Sequence, residues 1–129
     1  MNNIHPQKHR VLLVVPIPQS YNHFTIQFIV NYYTPNMSLA TIAGYLISKD
    51  IEVEIFDGIM DSSIINLYKK IENFAPTHIG LTAFTSNIKS AWKTAKAIKT
   101  KFNKIPITIG GFHVSALPEE SLAECPYID

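Results

Sequence analysis

Two periods alternate along this chain. From Arg10 to Val15 the residues are almost continuously apolar, as in a strand buried on both faces of a parallel sheet, and the run stops at Pro16. Leu39, Ile42, Ala43, Leu46 and Ile47 then fall at i, i+3, i+4, i+7 and i+8, one helical stripe, with Thr34 and Pro35 placed ahead of it as N-cap and first-turn proline. The alternation repeats. Ile51–Phe56 predicts a second strand ending at Asp57-Gly58, and Ile64, Leu67, Tyr68, Ile71 and Phe74 form the apolar stripe of a second helix. His78–Ala83 reads as a third strand. After the polar turn Thr85-Ser86-Asn87, a third helix is marked by Ile88, Ala91, Trp92, Ala95, Ile98 and Phe102. Ile105–Ile109 predicts a fourth strand, closed by Gly110-Gly111, and Pro118-Glu119-Glu120 opens a short fourth helix with its acids in the first turn.

Strands alternating with helical stripes predict βαβ units, hence an α/β fold: a doubly wound, flavodoxin-like (Rossmann-like) parallel sheet in three α/β/α layers. Tyr127-Ile128-Asp129 reads as the start of a fifth strand. The expectation is therefore a single domain over residues 1–129 that lacks its last strand, with an open sheet edge available for self-association.

Composition narrows the function classes. The chain is 47% hydrophobic and 16% charged, with a formal charge of +1, so no concentrated field of one sign argues for nucleic acid or a membrane surface. The apolar run before Pro16 is too short for a signal segment or a membrane span, which reads as a cytoplasmic protein. A single cysteine, Cys125, forms no internal disulfide and cannot by itself hold zinc or an iron–sulfur cluster.

Ligands of open α/β sheets sit beyond the carboxyl ends of the strands, here the loops at 16–35, 57–61, 84–87 and 110–117. A dinucleotide site needs a Gly-x-Gly-x-x-Gly turn after the first strand, because backbone must approach a pyrophosphate; this chain has Pro16-Ile17-Pro18-Gln19-Ser20. That removes the usual NAD site despite Asp57 standing where a ribose-binding acid would be. A flavodoxin phosphate loop would want several Ser, Thr and Gly residues in the same place, and only Ser20 is there. A phospho-receiver would want acids after the first strand and an Asp after the third, where Pro16 and Phe84 stand.

What remains is an ordered series: Thr34-Pro35-Asn36-Met37-Ser38-Leu39-Ala40, Val53-Glu54-Ile55-Phe56-Asp57, Ile79-Gly80-Leu81-Thr82-Ala83-Phe84-Thr85-Ser86-Asn87, Ile109-Gly110-Gly111-Phe112-His113 and Ala116-Leu117-Pro118-Glu119-Glu120. The series resembles the cobalamin (B12)-binding N-terminal domain of radical S-adenosylmethionine enzymes, over roughly residues 10–129. The resemblance implies cofactor-binding positions at Pro16, Ile17, Pro18, Thr82, Phe84, Thr85, Ser86, Asn87, Gly110, Gly111, Phe112 and His113. In that reading Gly110 and Gly111 lack the Cβ atoms that would block the nucleotide tail, and Thr82, Thr85, Ser86 and Asn87 offer it hydrogen bonds. The alternative for the polar cluster is a tight strand-to-helix turn with an Asn or Ser cap.

The stretch Pro16–Ser20 has no histidine, unlike the Asp-x-His-x-x-Gly loop of domains that ligate cobalt from below, so the resemblance implies base-off cobalamin without a protein imidazole. His23 lies several residues too late to serve; His113 is assigned to the tail or to a turn rather than to metal, and His5, His9 and His78 carry no motif. The segment Tyr21–Tyr33, with Tyr21, Phe24, Phe28, Tyr32 and Tyr33, reads either as a cover over the corrin or docking surface, or as an extra helix completing the core. Lys89, Lys93, Lys96, Lys99, Lys101 and Lys104 read as a solvated helix face rather than an RNA contact. The implied function is to present methylcobalamin to a radical domain for methyl transfer to an unreactive carbon or phosphorus. S-adenosylmethionine and the [4Fe-4S] cluster would belong to that catalytic domain, since this chain has no Cys-x-x-x-Cys-x-x-Cys. The rival reading is a non-catalytic docking module with a vestigial cobalamin site.

Overall fold

The computed structural model describes residues 8–20 and 34–129. Four strands, β1 (Arg10–Val15), β2 (Glu52–Asp57), β3 (His78–Thr82) and β4 (Ile107–Gly110), form one sheet in the order β2-β1-β3-β4. Every neighbouring pair is parallel, the flavodoxin-like order that the alternating periods predict. Helices α1 (Met37–Ile47), α2 (Ile64–Phe74) and α3 (Ile88–Lys101) connect the strands, and two short helices, α4 (Phe112–Ala116) and α5 (Pro118–Glu124), follow β4.

Side chains of a strand alternate between faces, and here that alternation assigns two unequal cores. Leu12 and Val14 of β1, Ile79 and Leu81 of β3 and Ile107 of β4 point to one face, where Leu67, Ile71 and Phe74 of α2 and Ala95 and Ile98 of α3 bury them. Cys125 and Ile128 close the same core. Leu13 and Val15 point to the other face, where α1 supplies only Leu39 and Ala43 as buried partners. The carboxyl end of β1 is tied to β2's loop by the Gly58 N–H on the Val15 carbonyl at 3.0 Å; a Cβ at Gly58 would stand 2.5 Å from that oxygen.

Several boundaries differ from the sequence expectation. Helix α1 is capped by Asn36, whose Oδ1 accepts from the Leu39 N–H at 3.0 Å, and not by Thr34 with Pro35 in the first turn. Ser, Thr, Asp and Asn all suit an N-cap, and here the cap falls two residues beyond Thr34, directly after Pro35. β4 begins at Ile107 rather than Ile105: Ile105 donates back to Phe102 across a turn at 3.2 Å, and Pro106 has no N–H to give a ladder. β2 spans Glu52–Asp57 rather than Ile51–Phe56, and β3 stops at Thr82, one residue short of Ala83. Tyr127–Asp129 forms no strand, yet the Asp129 N–H bonds the Ile107 carbonyl at 2.9 Å, on the outer edge of β4. The Asp129 carboxylate also accepts from the Ile107 N–H at 2.8 Å and pairs with Lys99 at 2.7 Å.

The lysine row of α3 is partly neutralised by neighbours the linear sequence does not place beside it. Lys99 meets Asp129, and Lys101 meets Glu72 at 2.7 Å. Among the described residues no helix is long and apolar enough to cross a membrane. The aromatic segment Tyr21–Tyr33, with His23, and the N-terminal His5 lie outside the described residues.

The unequal cores make a stability test. Leu67 is fully buried and Leu67→Ala should cost about 2–5 kcal/mol in urea unfolding. Ile42, on the free side of α1 and 46% exposed, should cost less than about 1 kcal/mol as Ile42→Ala. Equal costs would contradict the assignment of stability to the α2–α3 face.

Candidate functional site

Helix α1 lies over β1 and β2, and its half of the sheet face ends there. On the β3–β4 half, the residues that alternate onto this face are small: Gly80 and Thr82 on β3, Thr108 and Gly110 on β4. The register sets them in rows. Leu13 stands beside Gly80 and Gly80 beside Thr108; nearer the carboxyl rim, Thr82 stands beside Gly110. Because these side chains are short, the floor does not rise to meet α1, and a groove of about 610 Å³ runs between them. Its wall is apolar, from Val11 and Leu13 on the sheet and Leu39, Ile42 and Leu46 on the helix. Pockets that take a small ligand run to several hundred Å³, so the space is of the right order.

At the carboxyl rim the groove is lined by Phe84 and Phe112, whose rings pack with centroids 5.7 Å apart at 35° and which are 40% and 77% exposed. Gly110 and Gly111 stand beside them for different reasons. A Cβ on Gly110 would meet no heavy atom of the described residues within 4 Å, so among them its bare backbone leaves space in the groove. Gly111 has φ +114°, and a Cβ there would stand 2.2 Å from the Ala83 carbonyl oxygen. The expectation that both glycines clear room for a ligand is thus corrected for Gly111: its missing side chain accommodates the chain's own rim, where the Ala83 N–H also bonds the Gly110 carbonyl at 2.8 Å.

The positions singled out in the sequence divide between two places. Thr82, Phe84, Gly110, Gly111 and Phe112 line the groove. Thr85, Ser86 and Asn87 instead line a separate rim cavity of about 560 Å³ with Pro18, Gln19 and Ser20. Asn87 Oδ1 accepts from the Phe84 N–H at 2.7 Å, so this amide holds the strand-to-helix turn. His113 lines neither, but its Nδ1 lies 3.2 Å from Oγ1 of Thr85. Pro16 is buried, and the Ile17 N–H donates to the buried Thr94 hydroxyl at 3.2 Å, which clamps the loop after β1 onto α3. Sequence reasoning missed the groove's own frame: Ser38, Leu39 and Ile42 of α1, Gly80 and Thr108. The signal was the pairing of small residues at alternate positions, 80 with 82 and 108 with 110.

Among the described side chains that line the groove, His78 at its amino end is the sole titratable one. Groups with displaced pKa values lie elsewhere. The hydrogen bond from Lys8 holds the Glu52 carboxyl below its usual value, that from Lys99 does the same for Asp129, and burial pushes the Cys125 thiol up. Asp57 spends its Oδ1 on its own turn, accepting from the Ile59 N–H at 2.9 Å. Among the described residues no group of three His, Cys, Asp or Glu is placed to hold a metal ion.

Comparison with known proteins agrees with this geometry. A family model described as the B12 binding domain matches residues 28–129. The chain is 33% identical over 121 residues to an uncharacterized methyltransferase of Pyrococcus horikoshii, covering 93% of this chain and 25% of that protein. It thus spans about a quarter of that curated relative's length. Among solved structures, the radical S-adenosylmethionine methyltransferase TsrM from Kitasatospora setae superposes with a TM-score of 0.71 at 18% identity, over 91% of this chain and 22% of that one. The cobalamin-dependent S-adenosylmethionine radical enzyme OxsB, with aqua-cobalamin and S-adenosylmethionine bound, gives a TM-score of 0.71 at 23% identity, over 95% of this chain and 16% of that one. At such identities the likeness is one of fold.

The two glycines should respond oppositely to the same substitution. Gly111→Ala meets both a positive φ and the Ala83 carbonyl and should destabilise by about 1–3 kcal/mol. Gly110→Ala meets open space and should stay within about 0.5 kcal/mol of the parent. Thermal or urea unfolding of both variants reads the difference.

Proposed function

The chain belongs to the B12-binding domain family, and from that premise we propose that it holds a corrinoid by the nucleotide tail, with the tail in the groove between α1 and the β3–β4 half of the sheet. The observation that carries this reading is the open space at Gly110, which lies at the carboxyl rim with no neighbour among the described residues to explain it. Thr82, Phe84, Gly110, Gly111 and Phe112 would hold the tail. Pro18 and Thr85–Asn87 would face the corrin's rim from the neighbouring cavity, with Pro16 and Ile17 behind them holding the loop and His113 beside Thr85.

In this reading the corrinoid is bound base-off, its lower base withdrawn into the groove. The described rim loop Pro16–Ser20 supplies no imidazole to take the base's place, and His113 is engaged with Thr85. When bound, the corrinoid would supply methyl-transfer chemistry. The acceptor, an unreactive carbon or phosphorus, would be activated by a radical S-adenosylmethionine domain of a longer cytoplasmic protein of which residues 1–129 form the N-terminal domain. That domain would carry the [4Fe-4S] cluster and S-adenosylmethionine. This chain's own residues would position the cofactor and exclude water from its tail; among the described residues His78, at the amino end, is the groove's one titratable side chain.

Incubation with hydroxocobalamin followed by desalting should leave a coloured complex with the absorption of a base-off corrinoid. Gly110→Leu, which fills the groove at a position with open space around it, should abolish that retention while leaving the unfolding midpoint within a few degrees of the parent. Colourless parent protein would overturn the reading in favour of a docking module, and a Gly110→Leu variant that still retains colour would move the tail out of the groove.

A further inference from the structure

Resting on the placement of the tail in this groove, we propose that the chain discriminates among cobamides by their lower base, accepting an apolar benzimidazole and rejecting a purine. The argument is one of unmet hydrogen bonds. A purine base carries ring nitrogens and, in adenine, an exocyclic amine, each of which loses water on entering a groove and needs a partner there. Benzimidazole's carbocyclic half asks for none.

The middle of the groove offers few partners. Its wall is Leu13 and Leu39 with Ile42, and its floor at that level is the bare Cα of Gly80. The backbone beneath cannot help, because β3 is an interior strand whose N–H and carbonyl groups are engaged with β1 on one side and β4 on the other. The polar side chains stand toward the margins: Ser38 in the first turn of α1, Thr82 at the rim with Ser115 of α4, and His78 at the amino end. Among the described residues Thr108 alone brings a hydroxyl to the middle row, beside Gly80, and a single hydroxyl cannot meet a purine's several donors and acceptors. Selection here is by what the groove withholds.

Calorimetric titration of the chain with cobalamin, with its adenine-bearing counterpart and with cobinamide, which has no lower base, tests the proposal. Cobalamin should bind at least about tenfold more tightly than the adeninyl form, and cobinamide should also fall below cobalamin because it forgoes the groove. Ile42→Gln, which adds an amide to the wall at a partly exposed position, should narrow the gap between the two bases by improving the adeninyl form. Equal or tighter binding of the adeninyl form overturns the selectivity. Equal binding of cobinamide and cobalamin also overturns it, by showing that the base stays outside. Failure of all three corrinoids to bind overturns the proposed function itself, so the two failures are told apart.

Discussion

The period of two along a β-strand is the constraint on which this molecule turns. Because successive side chains face opposite ways, β3 and β4 can carry bulk on one side and almost nothing on the other. Ile79, Leu81 and Ile107 fill the core beneath α2 and α3, while Gly80, Thr82, Thr108 and Gly110 leave the opposite side shallow. Helix α1, anchored by Leu39 and Ala43 over β1, cannot close the space that such short side chains leave. The groove is therefore written into the strands themselves rather than into a loop, and a one-residue slip of either strand would destroy it.

Stability and binding are divided accordingly between the two faces. The large core, from Leu12 and Val14 through Leu67 and Ile98 to Ile128, lies wholly on the α2–α3 side. Among the described residues the other side has enough packing to hold α1 and little more. Such a division lets the groove keep apolar surface open without the fold depending on it. At the rim the same economy recurs in the glycine pair, where Gly111 secures the turn against Ala83 and Gly110 leaves room. Thr94, buried in α3, fixes the loop after β1 from behind, so the rim on that side is also held by the stable face.

Much of this was legible in the residues. The run Arg10–Val15 and the stripe Leu67, Ile71, Phe74 specify a buried strand and an amphipathic helix, because continuous burial and one-sided burial leave different periods. The glycine pair after β4 was visible too, but its division of labour was not, since a φ of +114° and the nearness of the Ala83 carbonyl are tertiary facts. Pro18 and Thr85–Asn87 follow strands in the sequence just as Gly110 and Gly111 do, and only the fold separates them into a second cavity. Ile42 reads as an ordinary core position of an apolar stripe. It is exposed because α1 reaches only half of the sheet, which no local pattern encodes. The cap at Asn36 rather than Thr34 is a choice among neighbouring residues that all satisfy the same preference.

Membership of the B12-binding family and a groove walled mainly by apolar side chains both fit a domain that holds a cofactor. The claim at the centre is spatial: the corrinoid's tail lies on the small-residue rows of β3 and β4. Amide proton and nitrogen NMR spectra of the chain, with and without hydroxocobalamin, address it most directly. The account predicts the largest shift changes at Gly80, Thr82, Thr108 and Gly110 and in the first turns of α1. Changes confined to the β2 edge or to the α2–α3 face, with those residues unmoved, would contradict it.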